Sequence, residues 1–335
     1  ERMEHTAVRL PDGRVLVAGG DGNNFVLNGT AEIYDPATGS WSAAGQLVTP
    51  RQYHTASLLD GSPARVLLVG GAGQDGVVLA SAEIFDAATL TWNATGNLAQ
   101  RRFAHTAARL PDGRVLISGG ASASNVVFGS SEIYNPASGS FTAAAATAAR
   151  AWHTASVLAD GSVLLAGGSN PAAVRYQPAS NSWSAAGNVG LALSQSTATV
   201  LANGRVLLAG GADAAGPRDA NLLYDPAGNA WTPTSALLFP RRAHTATLLQ
   251  DGSVLVVGGI TPGGNFPRTA TAELYRPEFT LLAATLPRVA VNAAYPAQSL
   301  STQGGLAPIG YAISGGALPP GMTLSPQGVL DGTPT

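Results

Sequence analysis

The chain has 335 residues with 41 glycines, 22 prolines, no cysteine and a formal net charge of −2. The missing cysteine excludes disulfide scaffolds, thiolate metal sites, iron–sulfur clusters and cysteine nucleophiles. A near-neutral balance, in which all 18 basic residues are Arg, supplies no phosphate-neutralising surface, so no nucleic acid partner is expected. The 45% apolar and 11% charged fractions belong to a chain that buries a large core. No run of about 18 apolar residues is present to span a membrane. The opening ERMEHTAVRL is no secretory signal and lacks an initial Met, so the chain reads as soluble and as processed or cut from something longer.

A repeat organises the predicted elements. A first strand-like segment reads HTAVRL, HTASLL, HTAARL, HTASVL, STATVL and HTATLL, starting at His5, His54, His105, His153, Ser196 and His244. A turn carrying Asp-Gly or Asn-Gly follows, with the positive φ that a tight hairpin needs. The second strand ends on a Gly doublet at Gly19, Gly70, Gly119, Gly167, Gly210 and Gly258, spaced by 51, 49, 48, 43 and 48 residues. A third strand reads AEIYDP, AEIFDA, SEIYNP, AVRYQP, NLLYDP and AELYRP. The fourth opens on Trp41, Trp92, Phe141, Trp183, Trp231 and, in the last copy, Phe279, with Phe279 to Leu282 as its expected strand. No segment shows sustained helical periodicity, which predicts an all-β chain with almost no helix. Four-stranded units of this period cannot bury both faces alone, and radial stacking into a propeller solves that problem.

These residues, together with an Arg three places before each His-Thr-Ala, resemble the kelch repeat. The resemblance covers residues 2 to 286 and implies a β-propeller of four-stranded antiparallel blades, six in number, with a seventh as the alternative. The division expected is 1–286 for the propeller and 287–335 for the first part of an immunoglobulin-like sandwich. That tail reading rests on GGALPPGMTLSPQGVLDGTPT, which resembles domains arrayed on bacterial surface and secreted proteins. It implies an extracytoplasmic, secreted or cell-surface setting and leaves self-assembly through the tail open.

The chemistry follows from the repeat. Five His at one repeat position read as structural groups that cap the innermost strand through neighbouring backbone. No recurring carboxylate stands beside them as a metal-supporting shell, and the Asp-Gly turns lack the spaced acidic ligands of a calcium loop. No metal and no cofactor are therefore expected. Kelch-type propellers include copper-radical oxidases, whose cofactor needs a Cys that this chain lacks. No nucleophile–His–acid set is evident either.

In a four-stranded blade the blade-to-blade connections and the loops between strands two and three share one face. That face collects Arg51, Arg102, Arg150 and Arg241, the adjacent Arg101 and Arg242, and the aromatics Tyr53, Phe103 and Trp152. Related propellers hold acidic peptides with Arg at the corresponding position, and guanidinium forks bind carboxylates bidentately. The opposing reading is that the repeated Arg ties down the between-blade turn through backbone carbonyls. The expected role is a non-catalytic binding or adhesion module for a glycan or protein ligand. The alternatives are a carbohydrate-active enzyme of the sialic-acid epimerase kind and a structural subunit of a bacterial surface assembly.

Overall fold

The computed structural model describes residues 2–22, 26–264, 267–277, 280–281, 286–300, 302–303, 310–313 and 315–335. Five four-stranded antiparallel sheets and one three-stranded sheet follow one another along the chain, each a meander in sequence order. The first sheet comprises Thr6–Arg9, Val15–Ala18, Thr30–Asp35 and Ser40–Gln46. Among the described residues the one helical element is a short 3-10 turn at Gln74–Gly76.

The second strand of each sheet shows why the sheets must stack. Val115–Ser118, Val163–Gly167 and Val206–Ala209 are buried along their whole length, so both of their faces lie against protein. The outer strand Ser40–Gln46 is exposed at all but one position, as expected of a rim. Five apolar clusters each join one sheet to the next. The first, for example, packs Leu16, Ala18 and Ile33 of sheet one against Val66, Leu68, Phe85 and Trp92 of sheet two. The innermost strands lie side by side in chain order, from Thr6–Arg9 through Thr245–Leu248. This is the blade-on-blade arrangement expected from the repeat.

Five blade interfaces, from one–two through five–six, are fastened by a recurring set of contacts. The first Gly of a doublet packs on the next blade's His: a Cβ at Gly19 would sit 2.6 Å from Arg51 O and 2.8 Å from His54 Cε1, and one at Gly210 would meet Arg241 O and His244 Cε1 in the same way. The second Gly donates its N–H across the interface. Gly20, Gly71, Gly120, Gly168 and Gly211 bond the carbonyls of Arg51, Arg102, Arg150, Leu193 and Arg241 at 2.8–2.9 Å. Positive φ and the absence of a side chain are both required there, which accounts for the doublet. Near the rim, the indoles of Trp92, Trp183 and Trp231 donate to Ala44, Ala145 and Ala186 of the preceding blade.

The sixth blade departs from the expected plan. Ala272–Tyr275 is its third strand, but Thr280–Leu281 pairs with Thr302–Gln303 of the tail instead of completing the blade. Phe279 and Leu282, expected in its fourth strand, lie outside the described residues. That same strand pair crosses the boundary expected near residue 286. The described tail otherwise forms one three-stranded sheet in the order Tyr295–Ser299, Val329–Gly332, Met322–Leu324.

Candidate functional site

The Arg residues of the connections divide into two groups. Arg51, Arg102, Arg150 and Arg241 are 0% exposed, so the expected ligand-facing role of these four is corrected. Arg51 donates to Gly70 O at 2.8 Å, Ser81 O at 2.9 Å and Glu83 Oε1 at 2.6 Å. Arg102 repeats this with Gly119, Ser130 and Glu132, and Arg241 with Gly258, Thr271 and Glu273. Each of these three Glu also accepts from two backbone N–H groups of the incoming connection, as Glu83 does from Val48 and Thr49. The guanidinium thus ties the doublet, the third strand and the connection together, and its charge is met inside the blade. The carbonyl-anchoring reading of the sequence holds for these residues. The carboxylate partner was written in the recurring Glu of AEIY and its variants but was not matched to the Arg.

Blade four breaks the pattern. Val174 stands where the third strands of blades one, two, three and six carry Glu, and Arg150 keeps a single hydrogen bond, to Ala172 O at 2.8 Å. Its Nε and Nη1 are buried without a partner, and burial alone pushes its pKa down to about 10.

The His residues are structural, through a contact different from the one expected. Instead of capping backbone, His54, His105, His153 and His244 each bond through Nε2 to the Thr hydroxyl of the preceding blade's innermost strand. The partners are Thr6, Thr55, Thr106 and Thr197 at 2.9–3.0 Å. Their Nδ1 atoms are buried without partners. Which partner donates in each Nε2–Thr bond is set by the ring tautomer. Desolvation pushes His54 and His105 down to about 3 and His244 to about 4, and holds His153 well below its ordinary value. Among the described residues no group of three or more His, Cys, Asp or Glu is placed to hold a metal ion.

The ligand-accessible chemistry lies one residue earlier in each blade. Glu4, Tyr53, Ala104, Trp152, Gln195 and Ala243 all adopt positive φ between 51° and 57°, and four of the five successive pairs are linked by backbone bonds around the axis. Tyr53 N–H reaches Glu4 O at 3.4 Å, Trp152 reaches Ala104 O at 3.0 Å, Gln195 reaches Trp152 O at 3.0 Å and Ala243 reaches Gln195 O at 2.9 Å. Their side chains line the axial mouth. Tyr53, Phe103 and Trp152 form an aromatic cluster with ring centroids 5.1–6.2 Å apart. Burial, with Glu4 and Asp21 nearby, raises the Tyr53 phenol to about 12. The Glu4 carboxyl is raised by desolvation and then by Asp21, while Arg242 and Arg268 pull it back.

A recess of ≈ 800 Å³ opens on this face between blades four, five and six. Trp152, Ser194, Gln195, Asp213, Arg242 and Thr261 supply its polar and aromatic wall. It exists because blade four carries only the short loop SNPAA where its neighbours carry long ones. Arg242 donates to Gln195 Oε1, and Arg218 to Asp213 Oδ2 at 2.8 Å. The structure therefore brings Trp152 and Arg242 together with Tyr53 and Phe103 alongside. Arg101 is exposed away from this recess and donates to Val78 O. Gln195, Asp213 and Glu4 were missed in the sequence, where nothing marks a position as facing the axis until the fold is known.

No protein-family model matches the chain. It is 48% identical over 42 residues, 12% of its length, to Kelch-like protein 21 of Danio rerio. It is 32% identical over 99 residues, 29% of its length, to the F-box/kelch-repeat protein At1g67480 of Arabidopsis thaliana. The chain spans 7% and 26% of the lengths of these two relatives. The solved structure of YjhT superposes with a TM-score of 0.65 at 15% identity, over 82% of this chain and 94% of that one. Over the matched residues the repeat is similar to that of these two kelch proteins. The superposition carries the fold alone, a multi-blade antiparallel propeller.

Proposed function

We propose that the chain is a binding module whose kelch propeller, with six blades in one ring, holds a glycan or protein ligand at the axial mouth and adjoining recess. The observation that carries this reading is the recess of ≈ 800 Å³ on the variable-loop face, where Trp152, Gln195, Asp213 and Arg242 converge. An aromatic face, an amide, a carboxylate and a guanidinium together match a ligand bearing both apolar and hydrogen-bonding groups. The tail supports an extracytoplasmic, surface-associated setting by its resemblance to immunoglobulin-like arrays. Glycan and protein arrays probed with the whole chain, beside Trp152→Ala and Arg242→Ala, test the reading. Specific binding lost in both variants supports it, and no binding above the variants overturns it.

A second reading as a carbohydrate-active enzyme rests on one observation. The raised Glu4 carboxyl lies in the axial channel with Tyr53 and Trp152, which suits proton transfer to a bound sugar. Turnover of sialic acids or oxidisable sugars abolished by Glu4→Gln would favour it over the binding module.

A further inference from the structure

Of the four buried Arg pockets, three enclose a carboxylate, and they hold it in one way. One Glu oxygen accepts from the guanidinium Nη2 and from one backbone N–H of the incoming connection, and the other oxygen accepts from the N–H just before it. Those N–H pairs belong to Val48 and Thr49 on Glu83, to Ala99 and Gln100 on Glu132, and to Leu238 and Phe239 on Glu273. A backbone bond made by the preceding residue fixes the register. Leu47, Leu98 and Leu237 donate to Gly29 O, Ala80 O and Asp219 O at 2.8–2.9 Å.

Blade four keeps this register and lacks the carboxylate. Thr147 N–H bonds Gly129 O at 2.8 Å, so Ala148 and Ala149 stand where Val48 and Thr49 stand, and their N–H groups have no partner among the described residues. Three changes leave the pocket unfilled. Val174 replaces Glu and ends at its methyl groups. Ala172 replaces the Ser or Thr whose hydroxyl meets Nη2 in the other three. The connection is one residue shorter, Thr147 to Arg150 against Leu47 to Arg51, and Nε does not reach the carbonyl two residues back that the others use. What remains is a guanidinium at 0% exposure with Nε and Nη1 unpartnered. A buried charge in that state is strongly destabilising, and interiors pair it whenever a partner is within reach.

We propose that this pocket binds one small carboxylate anion, of the size of formate or acetate, in the place of the missing Glu side chain. One oxygen accepts from Arg150 and Ala149 N–H and the other from Ala148 N–H, the pattern of Glu83, Glu132 and Glu273. Shape selects the class: a planar group with two oxygens spans a guanidinium and two N–H donors, which a spherical ion cannot do. Entry is short, because Ala148, Ala149 and Ala172 are exposed and Val174 is half-buried, so only small side chains cover the pocket. Arg150 lines neither the recess nor the axial channel, which makes this a site separate from the mouth. Its occupant ties Arg150 to the connection that runs on into Trp152.

Thermal unfolding of the full chain, followed by Trp fluorescence in sodium formate and in sodium chloride at matched ionic strength, tests the site. The midpoint should rise saturably in formate over chloride, by about 2–4 °C. Val174→Glu, which carries its own carboxylate, should melt at the same temperature in both salts. Equal midpoints for the unaltered chain in the two salts, or a formate response that Val174→Glu retains, overturns the proposal. A second measurement does not depend on how the variant folds: isotope-labelled formate is titrated with the native chain and its NMR line followed. Broadening that excess acetate relieves is expected, and a line that stays sharp, or broadening that acetate leaves unchanged, overturns the proposal.

Discussion

Acidification should unfold this protein through its buried His residues, at a pH where surface carboxylates are still charged. In the folded chain His54 and His105 titrate at about 3 and His244 at about 4, with His153 also far below the ordinary 6.5. The unfolded chain binds protons near 6.5 and the folded chain does not, so the stability these groups confer is complete above 6.5 and is lost as the pH falls towards 4. At about pH 4.5 His54, His105 and His244 each cost roughly 2–3 kcal/mol, at about 1.36 kcal/mol per unit of pKa difference, and His153 acts in the same direction. Together they remove a large part of the stability of a typical domain, about 5–15 kcal/mol. Glu4, whose carboxyl is raised, works in the opposite sense but is a single group. Urea unfolding followed by Trp fluorescence between about pH 7.5 and 4.5 should show stability falling by about 5 kcal/mol per pH unit at the acid end, the linkage slope for four protons. His105→Gln, which retains an N–H for Thr55, should reduce that slope by about a quarter. A free energy of unfolding that stays flat over this range, or an unchanged slope in the Gln variant, would refute the assignment of these rings as neutral and buried.

Removing Glu83 by Glu83→Ala leaves the Arg51 charge buried and should cost about 3–5 kcal/mol in urea unfolding, whereas Arg101→Ala on the exposed side should change stability by less than about 0.5 kcal/mol. In blade four the opposite change, Val174→Glu, supplies the missing carboxylate to Arg150 and should raise stability by about 1 kcal/mol or more, read as a higher urea midpoint. Ala243→Gly at an exposed position with φ of 51° relieves left-handed strain and should stabilise by about 0.5–1 kcal/mol; a loss of stability would count against the strain. Arg242→Ala should weaken ligand capture at least tenfold while leaving the thermal midpoint within a few degrees, measured by titration of the array hit and by calorimetry.

The fold was legible because its signals are local and recur. The Asp-Gly turns, the doublets and the aromatic residue expected to open each fourth strand set strand order and pairing without any long-range information. The site was less legible for a physical reason. An Arg recurring in most connections looks like a binding residue when its partner is unknown, and Glu83, thirty-two residues downstream of Arg51, becomes its partner only through the meander. The residues that do face the mouth carry no common chemistry: Glu4, Tyr53, Ala104, Trp152, Gln195 and Ala243 share a backbone conformation and not a side-chain type. Sequence pattern reports side chains, and so it passed over them. The sixth blade misled for the opposite reason, since Phe279 continued a pattern that Thr280–Leu281 abandons for the tail strand.

That shared conformation has an evolutionary consequence. The left-handed turn before each His is imposed by the flanking fastenings, with the His on one side and the connection's Arg and Gly contacts on the other, so the residue in the turn contributes little to holding the blades. Of the six positions around one axis, all but the buried Ala104 are thereby released from most structural duty and can mutate with little disturbance to the scaffold beneath. Specificity in such a molecule changes by rewriting a short word at the mouth, and two propellers with superimposable blades can recognise unrelated ligands.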